Sequence, residues 1–311
     1  MEVPAREIGA ERTDVRVCVA VCTCDRHQQL RNTLQSLADQ NIEAGFRVFV
    51  VDNGRIVARP VVEAFEAVLD IVHERVREPG LSAVRNRALH LARESGADFL
   101  ASIDDDECAD TDWLAAHLAA AELSGADIQI GPIEPRFAER PAGWIVDGGF
   151  FAEACETPTT ANLFLRLACL PQSEGDWFQP DYAVTGGEDL EFLDRLSRNG
   201  ARYGTVLSAR VYDMVPAERA TLRYILRRGL RDGVYLGNRA RKENATLAGV
   251  AAAGLHEFLA KLAYSVNHLF WSPRAGWRAR RAGADLAAAA GILVGLLGVK
   301  PRFYGHGETV D

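Results

Sequence analysis

Short β-rich runs alternate with helical stretches from residue 15 to residue 133, and few architectures accept that pattern. VRVCVAV (15–21) reads as a buried strand, and QQLRNTLQSLADQ (28–40) as a helix with Leu30, Leu34 and Leu37 on one face. RVFVVDNG (47–54) is a second strand ending in turn residues, and DIVHERV (70–76) a third. SAVRNRALHLARES (82–95) is helical, ADFLASI (97–103) is a strand, and a further helix (112–123) precedes the strand ADIQIGPI (126–133). Strands separated by helices of this length form βαβ units in a largely parallel sheet. Right-handed crossovers then align the strand C-termini along one edge, where ligands bind.

The second half is less regular. Residues 134–180 are rich in Pro, Gly and Trp and resist assignment, apart from the strand TANLFLRL (160–167). A helix (188–199) and a strand YGTVLSARVYD (203–213) follow, and then helical stretches at 217–232, 249–270 and 284–298. The expected boundary is near Pro216, with an α/β unit over 1–215 and a helical region over 216–311.

Charge divides the chain at the same place. Residues 215–311 hold 15 Lys and Arg against 7 Asp and Glu, whereas residues 1–214 hold 20 against 36. An acidic body disfavours nucleic acid as a partner, and a basic tail suits an anionic surface. MEVPAREIGAERTD has no apolar core and does not read as a signal peptide, and no apolar run reaches the ~18 residues of a membrane span. Cysteines 18, 22, 24, 108, 155 and 169 lack the paired spacing of a zinc site, so reduced thiols in a cytoplasmic protein are the expectation.

Four motifs carry chemistry. Asp104-Asp105-Asp106-Glu107 directly follows an apolar strand. In an extended chain Asp104 and Asp106 point the same way, which suits a hard divalent cation such as Mg²⁺ or Mn²⁺; a solvated acidic turn is the other reading of the same residues. Gly186-Gly187-Glu188-Asp189 opens a helix, either as a functional turn or as simple acidic capping. Asp52 ends a strand in VVDNG, and Arg85-Asn86 lies near the start of a helix after EPGLS. Each of these is also an ordinary surface or turn feature when taken alone.

In this order the motifs, with TCDRHQQLRNTLQSL ahead of them, resemble glycosyltransferase family 2 over residues 15–214. The resemblance implies the α/β GT-A fold, a nucleotide-sugar half over about 15–107 and an acceptor half over about 108–215. GPIEPRF, GGEDLEF and VPAERATLRYILRRGLRDG are similar to bacterial exopolysaccharide glucosyltransferases of the succinoglycan kind. By this resemblance Thr23, Asp25, Arg26, Asp52, Arg85, Asn86, Asp104 and Asp105 line the nucleotide-sugar site. Asp106 and Asp104 hold Mg²⁺ or Mn²⁺ on the diphosphate, Asp189 is the general base, and Glu188 stands beside it. Cys24 replaces the family's aromatic in the first loop, and VYDMVPAER lacks the His found after the last strand in many relatives. Asp213 there either supplies a metal oxygen or only ends the strand, and Arg219, Arg227 and Arg228 either reach the diphosphate or form a solvated face.

The implied activity is inverting, metal-dependent transfer of a hexose, glucose from UDP-glucose first of all, to a saccharide or lipid-linked saccharide in exopolysaccharide or cell-surface glycan assembly. A sugar nucleotidyltransferase would want a Gly-rich, basic phosphate loop that TCDRHQQ does not supply. A non-catalytic assembly subunit of the same fold is the other alternative; Cys24 and the absent His favour it, whereas the intact DDD and GGED argue against it. Trp144 and Trp177 read as core anchors ahead of sugar-stacking platforms. In the tail, Phe270, Trp271, Arg274, Trp277, Arg278, Arg280 and Arg281 precede 14 apolar residues, LAAAAGILVGLLGV (286–299). That run suits a helix lying at the inner face of the plasma membrane or one packed on the protein.

Overall fold

The computed structural model describes residues 16–151, 158–171, 177–180, 187–244, 246–270, 276–299 and 301. Cys155, Gly186, Trp271 and Arg274 lie outside these residues.

A seven-stranded sheet carries the fold. Its strands are β1 (Val17–Thr23), β2 (Phe46–Asp52), β3 (Asp70–Arg75), β4 (Phe99–Asp104), β6 (Ile128–Ile130), β8 (Asn162–Arg166) and β9 (Tyr203–Thr205). The order is β3-β2-β1-β4-β8-β6-β9. β3, β2, β1 and β4 run parallel, and β8 is antiparallel to both β4 and β6. Residues 17–21 and 48–52 are buried without alternation, as a strand covered on both faces requires. α1 (His27–Ala38) covers one face through Leu30, Leu34 and Leu37, and α3 (Leu81–Glu94) covers the other through Val84, Ala88 and Leu91. α2 (Arg59–Glu63) and α4 (Trp113–Ser124) add to the α1 layer.

Two expected strands each divide. Residues 126–133 form β6 and the start of β7 (Ile133–Phe137), because Pro132 has no N–H to continue the ladder. Residues 203–213 form β9 and β10 (Val211–Val215), separated by turns. β7 and β10, with β5 (Glu107–Ala109), make a second sheet of order β5-β10-β7. This small sheet brings Asp213 beside Glu107, its register partner.

The junction of the two sheets is polar and buried. Asn162 donates from Nδ2 to the Pro132 and Ala209 carbonyls at 3.0 and 2.8 Å. Its Oδ1 accepts from Trp113 Nε1 at 2.9 Å and faces His117 Nε2 at 3.2 Å. One amide thus ties α4, the β6–β7 turn and the β9–β10 link together. Burial pushes the His117 imidazole down to about 4, so it sits neutral beside Phe164.

α6 (Glu188–Arg198) packs beneath the main sheet, and three long helices follow the small one: α7 (Leu222–Glu243), α8 (Leu247–Phe270) and α9 (Gly276–Leu296). The first and last begin away from the expected 217 and 284. α7 and α9 approach backbone to backbone. A Cβ on Gly233 would lie 1.9 Å from the Ala288 carbonyl oxygen, and one on Gly291 would lie 2.1 Å from that of Leu230. The 14-residue apolar run is therefore in large part a helix packed on the protein. α5 (Gly143–Asp147) and Val215 share a third core with Ile225, Phe150 and Phe151, which fixes the helices to the β-rich body.

Asn162→Ala should destabilise the chain by about 3–5 kcal/mol in urea unfolding, because it strands two buried carbonyls and two ring N–H groups. His117 carries a folded pKa lowered below its unfolded 6.5, so its contribution is complete above pH 6.5 and is lost as pH falls towards 4. The stability advantage of wild type over His117→Phe should accordingly shrink by on the order of 3 kcal/mol across that window. A constant difference between the two proteins would show that His117 does not titrate this way.

Candidate active site

Parallel strands deliver their last residues to one edge, and here those residues are Thr23, Asp52 and Asp104. The turn after β4 adds Asp105 and Asp106, and β5 opens on Glu107. Thr33, on α1, pins this turn by donating to the Asp105 and Glu107 carbonyls at 3.0 and 2.6 Å. Glu107 folds back to accept the Asp104 amide at 2.9 Å, and burial raises its carboxyl well above the ordinary range.

Three arginines from separate parts of the chain meet these acids. Arg26 donates to Asp105 Oδ1 at 3.0 Å and to Asp106 Oδ2 at 3.1 Å. Arg219, from the segment after β10, lies 2.8 Å from the same Asp106 oxygen and 4.0 Å from Asp213. Arg85, on α3, pairs with Glu188 at the start of α6 and lies 3.8 Å from Asp104. Asp105 also accepts from Thr23 Oγ1 at 2.8 Å. Burial nonetheless pushes Asp105 up to about 6, against the pull of Arg26. Asp213 is likewise raised to about 6, by burial and then by the charge of Asp106.

Glu188 is buried, and its Oε2 has no hydrogen-bond partner. Burial raises it to about 7 despite Arg85. Its backbone setting depends on Gly187, which has φ 87° and lies where a Cβ would stand 2.0 Å from the Tyr235 ring. Asp189, the next residue, is half-buried in the positive first turn of α6, and its Oδ1 accepts the Leu190 amide at 2.8 Å. Arg85 thus joins Asp104 on the strand edge to the Glu188-Asp189 pair on the helix.

The remaining expected residues shape loops. Asp52 is fully buried: Oδ1 accepts from Gly54 N at 2.7 Å, Oδ2 accepts from Ala58 N at 2.8 Å, and His73 Nε2 stands 3.2 Å away. In this structure its carboxylate builds the loop that follows β2. Asp25, at φ 57°, accepts from Ile56 N at 2.8 Å and so clips the first loop to the second. Asn86 exchanges two hydrogen bonds with the Phe178 backbone, at 2.9 and 2.8 Å. Thr33 and His73 escaped sequence reading, since a Thr in mid-helix and a His in a strand carry no motif.

The donors here are hard oxygens, the ligand type of Mg²⁺ and Mn²⁺. Among the described residues no three His, Cys, Asp or Glu side chains form a ready-made metal cage. Asp106 and Asp213 flank the Arg219 guanidinium, where positive charge is already accommodated.

The chain is similar to known proteins in sequence and in fold. The glycosyl transferase family 2 model matches residues 18–167. The chain is 30% identical to the succinoglycan biosynthesis protein ExoM of Rhizobium meliloti (strain 1021), over 96% of its own length and 98% of that protein. The mannosyltransferase PcManGT from Pyrobaculum calidifontis, solved with GDP-Man and Mn²⁺, aligns at TM-score 0.58 with 19% identity, covering 90% of this chain and 87% of that one. S. aureus TarS 1–349 with UDP aligns at TM-score 0.52 with 16% identity, covering 91% and 92%. The fold is GT-A, with C-terminal helices added. By sequence, this chain belongs to glycosyltransferase family 2.

Proposed function

We propose that the chain transfers a hexose, glucose in the first instance, from a UDP-sugar to a saccharide or lipid-linked saccharide during exopolysaccharide or cell-surface glycan assembly. The observation that carries this reading is the Arg85 bridge, which holds the Glu188-Asp189 pair against the acidic strand edge. A sugar hydroxyl is a weak nucleophile. Asp189 accepts its proton as the hydroxyl oxygen attacks the anomeric carbon, and the bond to the diphosphate breaks on the opposite face, inverting the centre. Glu188, locked to Arg85, positions Asp189 on the acceptor side.

Arg26 and Arg219 turn from Asp105 and Asp106 to meet the charge of the departing nucleoside diphosphate. Asp106 and Asp104, with Asp213 behind Arg219, would hold Mg²⁺ or Mn²⁺, which supplies further neutralisation of that charge. Thr23, Asp25 and Asp105 form the floor of the nucleotide site, while Asp52 and Asn86 hold its walls. Likeness to a succinoglycan biosynthesis protein supports the glycan class, and neighbours solved with UDP or with GDP-Man and Mn²⁺ support a nucleotide-sugar donor.

Calorimetry against UDP should show micromolar binding that requires Mn²⁺ and disappears in Asp106→Ala. Absence of metal-dependent UDP binding would remove the uridine assignment and direct the search to GDP and dTDP. Asp189→Asn should lower kcat by roughly 10²–10⁴ while UDP affinity stays within about twofold. Undiminished turnover would place the base elsewhere.

A further inference from the structure

The helix that carries Glu188 and Asp189 starts without a side-chain cap. Gly187, the residue before α6, is left-handed at φ 87° and ψ 10°, and no side chain accepts from the first turn there. An extended Ser, Thr, Asp or Asn is the usual way to fix a helix start, because its oxygen ties the first turn to the residue ahead of it. Asp189 bonds the amide of its neighbour Leu190, a contact that travels with the turn and cannot aim it. The direction of this turn is therefore set from elsewhere in the chain.

Two distant residues bear on it. Arg85 of α3 pairs with Glu188. Tyr235, a buried residue of α7, meets Gly187 itself. A Cβ on Gly187 would stand 2.0, 2.6 and 2.7 Å from Cδ2, Cε2 and Cγ of the Tyr235 ring. Carbon atoms in contact stay about 3.5–4.0 Å apart, so the ring rests directly on the glycine backbone. Ring carbons make this contact, at the end of the ring away from the hydroxyl.

Tyr235 stands on a stiff support. Gly233, Val234, Gly237 and Asn238 around it are buried, and α7 meets α9 backbone to backbone. A Cβ on Gly237 would lie 2.3 Å from the Ile292 carbonyl oxygen, and one on Gly295 would lie 2.4 Å from that of Val234. A second tie joins the far ends of α6 and α7, where Arg198 lies 3.0 Å from Glu243. α6 is thus held against α7 at its first and last turns, and α9 keeps α7 from shifting. Close-packed interiors of this kind pass a displacement on and do not absorb it.

We propose that Tyr235 is a positioning residue for the catalytic base: its ring fixes the Gly187 turn and, through it, the carboxylate of Asp189. The proposal rests on the reading of Asp189 as the base. It makes α7, which lies beyond the residues 18–167 matched by the family model, part of the catalytic apparatus. A base must stand within hydrogen-bond reach of the hydroxyl it deprotonates, and a displacement of about 1 Å costs on the order of 10²-fold in rate. The hydrogen bonds of Thr23, Arg26 and Asp105 run among β1, the first loop and the acidic turn. Loss of the ring therefore acts on turnover and spares the nucleotide.

Three measurements test this: UDP release from UDP-glucose with water as acceptor, calorimetry against UDP, and hydrogen exchange across residues 187–193. Tyr235→Ala should lower kcat by about 10- to 100-fold, leave UDP affinity within about twofold, and speed exchange in the first turn of α6. Tyr235→Phe, which keeps the ring, should bring kcat back to within about threefold of wild type. Gly187→Ala should also lower kcat, and joining it to Tyr235→Ala should cost less than the product of the two single losses, since the vacated space admits the new methyl. If Tyr235→Ala loses the wild-type circular dichroism spectrum, Tyr235→Leu, which fills the interior without a ring, takes its place. Undiminished kcat in the ring-less variant, an equal fall in UDP affinity, or a Tyr235→Phe as slow as Tyr235→Ala overturns the proposal. If wild type leaves UDP-glucose intact, exchange decides alone, and unchanged protection at 187–193 overturns it. Slow Asp189→Asn beside fast Tyr235→Ala sinks only this proposal, whereas fast Asp189→Asn sinks the base assignment beneath it.

Discussion

Carboxylates crowd the C-terminal edge of the sheet because three arginines are placed to meet them. Asp104, Asp105, Asp106, Glu107, Glu188 and Asp213 converge there, and burial raises the pKa values of Asp105, Glu107, Glu188 and Asp213. Arg26 follows β1, Arg85 lies on α3, and Arg219 follows β10, so the pairs Arg26–Asp105, Arg85–Glu188 and Arg219–Asp106 each close a long loop of chain. Leaving a buried charge unpaired costs several kcal/mol, so the acids and the arginines hold each other in place. The same pairing leaves positive charge beside negative, the layout that a diphosphate and a cation both need.

The C-terminal helices are tied to this centre. Arg219 lies between β10 and α7, and the core of Ile145, Phe150, Phe151, Val215 and Ile225 locks α7 against the body just beyond it. Tyr235 of α7 packs where a Cβ on Gly187 would otherwise sit, so α7 also confines the turn that aims Glu188 and Asp189. The helical layer is a wall of the site as well as a neighbour of it. Small residues make this close fit workable, since Gly233 and Gly291 let α7 and α9 touch along their backbones.

Much of the sheet was legible in the sequence. β1, β2 and β4 are apolar runs ending in Thr or Asp, and strands buried on both faces need that composition. Residues 126–133 and 203–213 were harder, because a strand that leaves one sheet for another keeps its apolar composition across the break. The tail helices were visible as helices, but the start of α7 was not: it begins only after Thr221, which caps it through its side chain. Nothing in the local sequence marks His117, and only its burial beside Asn162 and Gln129 makes it a neutral post.

Sequence alone determined the parallel α/β core, the acidic turn at the end of β4, the Glu188-Asp189 helix start and the family, since each is written in residues close together along the chain. Tertiary structure decided which charges pair. Asp52 and Asn86 turned out to hold loops, Arg219 to share Asp106 with Arg26, and Arg85 to bridge Glu188 and Asp104. The apolar run at 286–299 likewise divided into a buried side and an exposed one only when α7 and α8 took their places around it. Periodicity and turn chemistry act between neighbours in sequence, whereas ion pairing and close helix packing act between residues that only folding brings together.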